Sequence, residues 1–372
     1  MLLQLQQSPE FAADAVGAPI SLVMANPNTS EYPMLADLRR QATCLATLAS
    51  RYGEFAELGG ARFGGGCARI VAFGSGDGWF AARAVSAYAK YDLGLAYQSA
   101  SSLETLSYVM PRNLDRDIAG IAISMSGSAD RTNQAAQTIR SHGKPVLALT
   151  NGGGGELARI AVAKISLDVA DLAPFLTGTT KYTATLLGLA MLLEGAAGLT
   201  DSKWIPYLCA LPTMLDAAER FAQNLATAEY GMAKLIKLLP LPVWADEIEE
   251  FAHRQFWSCP STDLVIYLAT QPNVATCASA SAEALGSMGM MTVAIDKPGC
   301  AVTGAGIRFT LPDTPEAISP LFAAIPLQFI GYYLARAFGS NPDQSQDIGD
   351  PARFRAAQLL SRRGELAPGP TR

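Results

Sequence analysis

Short apolar runs alternate with helix-like spacing through the first half of the chain. The runs lie near residues 70–73, 95, 118–123, 146–149 and 163–167. Helical patterns cover residues 34–58, 79–91 and 131–141, and another begins at residue 156. Strands that alternate with helices of about ten to fifteen residues are typical of a parallel sheet with helices on both faces. This half therefore predicts a doubly wound α/β unit, closed by a long apolar helix over residues 181–199.

A second, shorter α/β pattern follows a helical segment over residues 214–239. Strands are predicted at residues 263–268, 291–294 and 307–311, with helices over residues 278–288 and 317–338. This half has no Gly/Ser loop after a first strand, so it resembles a shortened copy of the first. The predicted fold class is α/β, with two doubly wound parallel-sheet domains of which the second is shortened.

The domain organisation follows from these two patterns. We expect an N-terminal extension and helix over residues 1–58, a first α/β domain over 59–200, a shortened second domain over 201–350 and a tail over 351–372. The first 33 residues include Pro19 and Pro27 and are predicted to be irregular.

The chain carries unusually little charge. Charged residues make up 16% of its 372 residues, against a usual value of about 25%. This predicts that much surface is buried between domains or subunits, and a homodimer is expected. The net charge is −5 and no block of Lys or Arg occurs, which argues against nucleic acid as a partner.

No secretory or membrane segment is predicted. The first basic residue is Arg39, so a positively charged secretory start is missing. Residues 317–335 are uncharged over nearly the ~20 residues that a membrane helix needs. They contain Pro320 and Pro326, however, and are predicted to form a helix buried at an interface. We therefore expect a soluble protein.

The cysteines show no metal-binding spacing. They are Cys44, Cys67, Cys209, Cys259, Cys277 and Cys300. No CxxC pair occurs, and only one histidine has carboxylates close by, so neither a metal nor a cofactor is predicted. Reduced structural thiols in a cytoplasmic protein are the expectation.

Two strands of the first half end in loops of small, hydroxyl-bearing residues that lead into helices. The candidates are Ser75 and Gly76 in the first loop, Ser124, Ser126, Gly127, Ser128 and Thr132 in the second, and Thr179 before a third helix. Backbone N–H groups and hydroxyls at a helix N-terminus favour an anion, so these loops predict a phosphate site. Loops of this composition also serve as ordinary turns and helix caps, and this alternative stays open.

Candidates for proton transfer are few. His253 follows an acidic run and precedes Phe256 and Trp257, and a histidine there is suited to move protons near neutral pH. A solvated helix face explains the same pattern equally well. Lys234 and Lys237 lie one helical turn apart upstream, a spacing that usually decorates a surface.

The chain resembles the sugar isomerase (SIS) domain family over about residues 60–350, in particular the isomerase half of glucosamine-6-phosphate synthase and its deaminase and deglycase relatives. The motifs are Phe73-Gly-Ser-Gly, Ser124-Met-Ser-Gly-Ser128, Thr150-Asn151, Thr179-Thr-Lys181, Ala252-His253 and Ile325-Pro-Leu-Gln328. The resemblance implies two flavodoxin-like SIS domains and a phosphorylated sugar or amino sugar as ligand.

The resemblance also implies residue roles. The two Gly/Ser loops would hold the sugar phosphate through Ser75, Ser124 and Ser126, with Thr179 lining the same pocket. His253 resembles the family histidine that opens the sugar ring from the partner subunit of a dimer. Lys234 resembles a lysine of the preceding helix.

Three departures from the family pattern bear on catalysis. The proton-shuttling glutamate of the family falls on Lys237. The C-terminal motif with the sugar-binding lysine is replaced by residues 345–350, Ser-Gln-Asp-Ile-Gly-Asp. The first strand and loop of the second domain are missing near residues 222–230. A lysine replaces a carboxylate base only with a strongly lowered pKa.

Two hypotheses follow. The first is a phosphosugar enzyme, an aldose–ketose isomerase or an amino-sugar-phosphate deaminase or deglycase, in which His253 opens the ring and the base is Lys237 or a carboxylate such as Glu104, Glu229 or Glu250. The alternative is a sugar-phosphate sensor or partner subunit without catalysis. Glutaminase activity is not expected, because the sequence shows no N-terminal cysteine or glutaminase domain.

Overall fold

The computed structural model describes residues 2–5, 32–64, 69–110, 117–153, 155–173, 178–227, 243–253, 255–343, 352, 355 and 356. It divides into two compact units. The first-sheet unit comprises Gln41–Ala170, Gly178–Leu208 and Asp347–Arg372. The second-sheet unit comprises Met1–Arg40, Asp171–Thr177 and Cys209–Gln346. The domain boundaries given by the sequence patterns stay predictions.

Strands and helices alternate along most of the described chain. The strands are β1 (Leu2–Leu5), β2 (Arg69–Gly74), β3 (Tyr97–Ser101), β4 (Ile118–Ile123), β5 (Val146–Thr150), β6 (Ala163–Ser166), β7 (Val243–Asp246), β8 (Leu264–Ala269), β9 (Met291–Asp296) and β10 (Ile307–Thr310). The α-helices are α1 (Pro33–Arg39), α2 (Gln41–Ala49), α3 (Tyr52–Phe63), α4 (Asp77–Ala84), α5 (Ser102–Glu104), α6 (Asp130–Ser141), α7 (Leu157–Ile160), α8 (Thr180–Ala196), α9 (Leu211–Thr227), α10 (Ile248–His253), α11 (Pro272–Ser287) and α12 (Ser319–Ala337).

The first sheet is parallel throughout and has the strand order β3-β2-β4-β5-β6. All six residues of β4 are buried, as expected for a central strand covered by helices on both faces. The chain runs from β2 to β3 on one side and then returns to β4 on the other. The order therefore reverses between β2 and β4, and the predicted doubly wound α/β fold is confirmed.

The second sheet has the order β10-β9-β8-β1-β7. Strands β8, β9 and β10 are parallel, whereas β1 is antiparallel to both β8 and β7. The prediction that the first 33 residues are irregular is thus wrong for residues 2–5, because these residues complete a sheet formed by a distant part of the chain. Pro19 and Pro27 lie outside the described residues.

The long helix α8 lies in the core of the first-sheet unit. Fifteen of its residues are buried, so the helix is enclosed on every side rather than exposing one polar face. Gly59 of α3 and Gly195 of α8 bring the two helix backbones together, because a Cβ atom at either position would overlap the other helix. The predicted helix over residues 34–58 is instead divided into α1, α2 and α3 by turns at Arg40 and at residues 50–51.

Helix α12 contains most of the uncharged stretch over residues 317–335. Together with the preceding helical turn it is long and apolar enough to cross a membrane, but 78% of its most apolar window is buried inside the folded chain. Such burial is typical of a core helix of a soluble protein.

Candidate functional site

The carboxyl ends of β2 and β4 meet at the point where the strand order reverses. Gly74, the last residue of β2, pairs in register with Ile123, the last residue of β4. A Cβ atom at Gly74 would lie 2.7 Å from the Ile123 carbonyl oxygen, and one at Gly78 would lie 2.9 Å from it. Glycine is needed for this close approach. The loops that follow both strands therefore start side by side, at the crevice where open α/β sheets bind ligands.

The loop after β4, residues 124–129, is called the serine loop. Its turn is closed by a hydrogen bond of 3.1 Å from the Gly127 N–H to the Ser124 carbonyl, with Gly127 at a φ of +65°. The Ser126 hydroxyl accepts the Ser128 N–H at 3.2 Å, and both serine side chains are exposed. This contact uses a lone pair of Ser126 and leaves its proton able to donate to a ligand oxygen.

Both loops lead directly into helices without side-chain caps. Gly76 precedes α4 and Ala129 precedes α6, and neither residue carries a side-chain acceptor that could cap the first turn. The first N–H groups of each helix are therefore oriented toward the carboxyl edge of the sheet, together with the positive end of each helix dipole. Two such helix starts beside exposed serines form an arrangement suited to a small dianion.

A buried pair of hydroxyls connects these loops to the third strand. Ser102, the first residue of α5, follows the end of β3. Its Oγ accepts a hydrogen bond of 3.3 Å from Ser75 Oγ and lies 2.9 Å from Thr132 Oγ1. Ser102 and Thr132 are fully buried, whereas Ser75 is exposed. We call these three residues the hydroxyl chain; the sequence analysis identified Ser75 and Thr132 but missed Ser102.

The loop after β5 packs against the serine loop. The Asn151 N–H donates to the Met125 carbonyl at 2.9 Å, and the Leu157 N–H donates to the Gly127 carbonyl at 2.9 Å. A Cβ atom at Gly155 would lie within 2.9 Å of atoms of Ser126, Gly127 and Ser128. Glycine is therefore required at position 155 for the two loops to pack together.

Thr179 lies directly before α8 and is fully buried. A Cβ atom at the preceding Gly178 would lie 3.5 Å from a carboxylate oxygen of Asp77, the first residue of α4. The segment that carries Thr179 thus borders the helix that begins after Ser75. All the predicted phosphate-binding residues therefore belong to the first-sheet unit, around one edge of one sheet.

Solved structures with this architecture are known. The C-terminal domain of glucosamine-fructose-6-phosphate aminotransferase from Francisella tularensis superposes with a TM-score of 0.68 at 14% identity, over 86% of this chain and 100% of that chain. Glucosamine-6-phosphate deaminase from Thermotoga maritima gives 0.64 at 15% identity, over 84% and 97%. Tagatose-6-phosphate ketose/aldose isomerase from Escherichia coli gives 0.66 at 14% identity, over 84% and 94%. The chain has the SIS fold.

The chain also matches curated proteins in sequence. Glutamine–fructose-6-phosphate aminotransferase [isomerizing] of Pyrobaculum aerophilum is 24% identical over 260 residues, which cover 63% of this chain and 43% of that protein. The enzyme of the same name from Symbiobacterium thermophilum is 24% identical over 265 residues, which cover 63% and 44%. The match thus spans less than half the length of these relatives. No family model matches the chain.

The predicted proton-transfer residues belong to the second-sheet unit or lie outside the described residues. His253 is the last residue of α10, in the second-sheet unit, and its side chain is exposed. Lys234, Lys237 and the alternative base Glu229 lie outside the described residues. Their roles, which the SIS resemblance implies, stay predictions.

The carboxylates proposed as bases have different surroundings. Glu104 closes a capping box: its N–H donates to Ser101 Oγ at 3.1 Å, and its carboxylate accepts the Ser101 N–H at 3.2 Å. Glu250 is exposed on α10. Of the two candidate bases that the structure describes, Glu104 belongs to the first-sheet unit, two residues after Ser102, and Glu250 to the second-sheet unit.

Proposed function

We propose that the chain binds a phosphorylated sugar or amino sugar at the carboxyl edge of the first sheet and moves a proton between adjacent sugar carbons. The reaction is an aldose–ketose isomerisation or a linked deamination or deglycation. The observation that carries this proposal is the meeting of two uncapped helix starts and exposed serines at the β2–β4 reversal point. The names of the structural neighbours, which include a ketose/aldose isomerase and a deaminase, support the substrate class.

In this proposal the phosphate is held by hydroxyls and amides. The Ser75 and Ser126 hydroxyls donate hydrogen bonds to the phosphate oxygens from the two loops, and the first N–H groups of α4 and α6 donate from the helix N-termini. Charge-assisted hydrogen bonds of this kind are roughly twice as strong as neutral ones. Binding therefore does not depend on a lysine or arginine at the phosphate.

Proton transfer between neighbouring carbons needs a ring-opening acid and a base. We assign ring opening to His253, supplied by the second copy in a cytoplasmic homodimer, because imidazole exchanges protons near neutral pH. Glu104 is favoured over Glu250 as the base, since Glu104 belongs to the unit that binds the phosphate. Lys237 takes this role only if its pKa is strongly lowered.

Turnover of fructose-6-phosphate and glucosamine-6-phosphate tests the proposal. The His253→Ala variant is expected to lose about 10²–10⁴-fold in kcat, the usual contribution of a general acid or base, with KM nearly unchanged. His142→Ala, which removes the exposed histidine at the end of α6, is the matched control and is expected to keep full activity. Equal rates for wild type and His253→Ala would remove His253 from the mechanism.

A sugar-phosphate sensor is the second candidate. It is favoured by Lys237, which stands where the SIS resemblance expects a glutamate. A ligand at 100 times its Kd stabilises the folded state by about 2.7 kcal/mol. A sensor would therefore show a raised Tm with sugar phosphates and no turnover of any of them, whereas an enzyme would show both.

A further inference from the structure

We infer that Ser102 is a positioning residue, which directs the proton of Ser75 so that the site accepts an anion. The inference rests on the proposed phosphosugar site and adds to it the group that sets its selectivity. Ser102 does not touch the ligand in this proposal. It acts through the exposed Ser75 on one side and the buried Thr132 on the other.

Burial separates the three hydroxyls into one that meets solvent and two that do not. Ser75 is exposed, whereas Ser102 and Thr132 each have an exposed fraction of 0%. The distances between successive oxygens are 3.3 Å for Ser75–Ser102 and 2.9 Å for Ser102–Thr132. The Thr132 hydroxyl is therefore placed to influence a bound phosphate through Ser102.

Each hydroxyl has one proton, so the hydroxyl chain has two directions. In the inward direction Ser75 donates to Ser102, as in this structure, and offers only lone pairs to the outside. In the outward direction Thr132 donates to Ser102, Ser102 donates to Ser75, and Ser75 donates to the ligand. The Ser102–Thr132 contact is compatible with both directions, because either oxygen can be the donor.

The dianionic phosphate group of a sugar ester has no proton to donate and selects the outward direction. Successive hydrogen bonds that run the same way polarise one another, so Ser102 strengthens the bond that Ser75 makes. Without the Ser102 hydroxyl, Ser75 loses this support and Thr132 is left buried without its partner. We therefore expect weaker phosphate binding, although neither buried hydroxyl touches the ligand.

Calorimetric titration with inorganic phosphate and with fructose-6-phosphate tests this inference on the full chain. Ser102→Ala and the isosteric Thr132→Val are each expected to weaken binding about tenfold. Ser107→Ala removes an exposed serine five residues further along and is expected to bind as wild type. Thermal unfolding of each variant establishes that it is folded, and Thr132→Val gives the test if Ser102→Ala does not fold.

A double-mutant cycle separates positioning from a general structural role. In a Ser75→Ala background, Ser102→Ala is expected to cause no further loss of phosphate affinity, because its effect passes through Ser75. Full additivity of the two losses, or wild-type affinity in both Ser102→Ala and Thr132→Val, would overturn the inference. If wild type itself binds neither probe, the proposed function fails, and this outcome is distinct because no variant is involved.

Discussion

Gly155 holds the loop after β5 against the serine loop. Its φ is +49°, a left-handed backbone conformation that residues other than glycine rarely adopt. A Cβ atom there would also lie 2.8 Å from the Ser126 carbonyl oxygen and 2.9 Å from the Ser128 hydroxyl. The backbone strain and the contact both act on the loop that carries the proposed phosphate donors.

Gly155→Ala is therefore expected to lower the free energy of unfolding by about 1–2 kcal/mol and to weaken phosphate binding. Thermal unfolding and calorimetric titration measure the two effects. Gly153→Ala is the matched control, since a Cβ atom at Gly153 meets nothing within 4 Å. Phosphate affinity that stays the same in Gly155→Ala would show that the serine loop does not need this packing.

Single residues were predictable where the signal is local. Ser75, Ser124, Ser126 and Ser128 directly follow apolar strand patterns, so their position at a sheet edge can be read from neighbouring residues. Ser102 was missed because β3 is a weakly apolar strand, Tyr-Gln-Ser-Ala-Ser. Only the pairing of β3 with β2 brings Ser102 beside Ser75, and such pairing has no local signature.

At the scale of the element, α8 carries a buried carboxyl group near its C-terminal end. Glu194 is fully buried. It accepts hydrogen bonds from the Tyr88 hydroxyl at 2.6 Å and from the Lys203 backbone N–H at 2.8 Å. Burial away from water raises the pKa of Glu194 above its ordinary value of 4.5, and the hydrogen bonds oppose the shift only in part. Tyr52 also interacts electrostatically with this group, and Trp204 packs against the Tyr88 ring with centroids 5.6 Å apart.

This raised pKa predicts a pH-dependent stability. Glu194 holds its carboxyl proton more tightly in the folded state than in the unfolded state. The stabilisation that this proton gives the folded state is fully present below pH 4.5 and is lost as the pH rises through the folded-state pKa of Glu194. Glu194→Gln is expected to flatten the decline of Tm above pH 4.5. Thermal unfolding over a pH series measures it.

The control for this pH series is Glu57→Gln, which removes an exposed carboxylate of α3. Its pH profile is expected to follow that of wild type. A Glu194→Gln profile parallel to wild type would mean that Glu194 does not contribute to the pH dependence of stability.

Elements with strong periodicity were predicted well, and long-range pairing was not. The predicted strand over residues 118–123 is β4, and the predicted helix over residues 181–199 is α8, which spans Thr180–Ala196. The prediction of one continuous helix over residues 34–58 was wrong, because the leucines of this segment keep a helical spacing across the turns that separate α1, α2 and α3. Strand β1 was not predicted, since it depends on partners more than 200 residues away.

For the whole molecule, the residues that follow the strands explain why one sheet carries the candidate site. The α/β alternation in the sequence predicted the fold class, and the resemblance to SIS proteins agrees with the structural neighbours. The first sheet has Gly/Ser loops at its reversal point, whereas the strands of the second sheet are followed by other residues. The two carboxyl edges therefore differ in chemistry although both belong to α/β sheets.

The donors at the carboxyl edge of the second sheet already bind a carboxylate of the chain. Thr270, which follows β8, donates to Glu316 at 2.7 Å, and Lys297, which follows β9, donates to it at 3.0 Å. Ser319 at the start of α12 donates to the same carboxylate at 3.2 Å. A phosphate at this edge would have to displace Glu316, so the second sheet is not expected to bind one in wild type.

The chain should therefore bind one sugar phosphate, at the first sheet. Calorimetric titration with fructose-6-phosphate is expected to give a stoichiometry of one per chain, and Ser124→Ala with Ser126→Ala is expected to weaken this binding at least tenfold. Glu316→Ala releases the three donors of the second edge and is expected to add a second, weaker phosphate site, whereas the exposed Glu283→Ala adds none. A stoichiometry of two in wild type, or full affinity in the double serine variant, would contradict the assignment, because the ligand would then bind outside the serine loop.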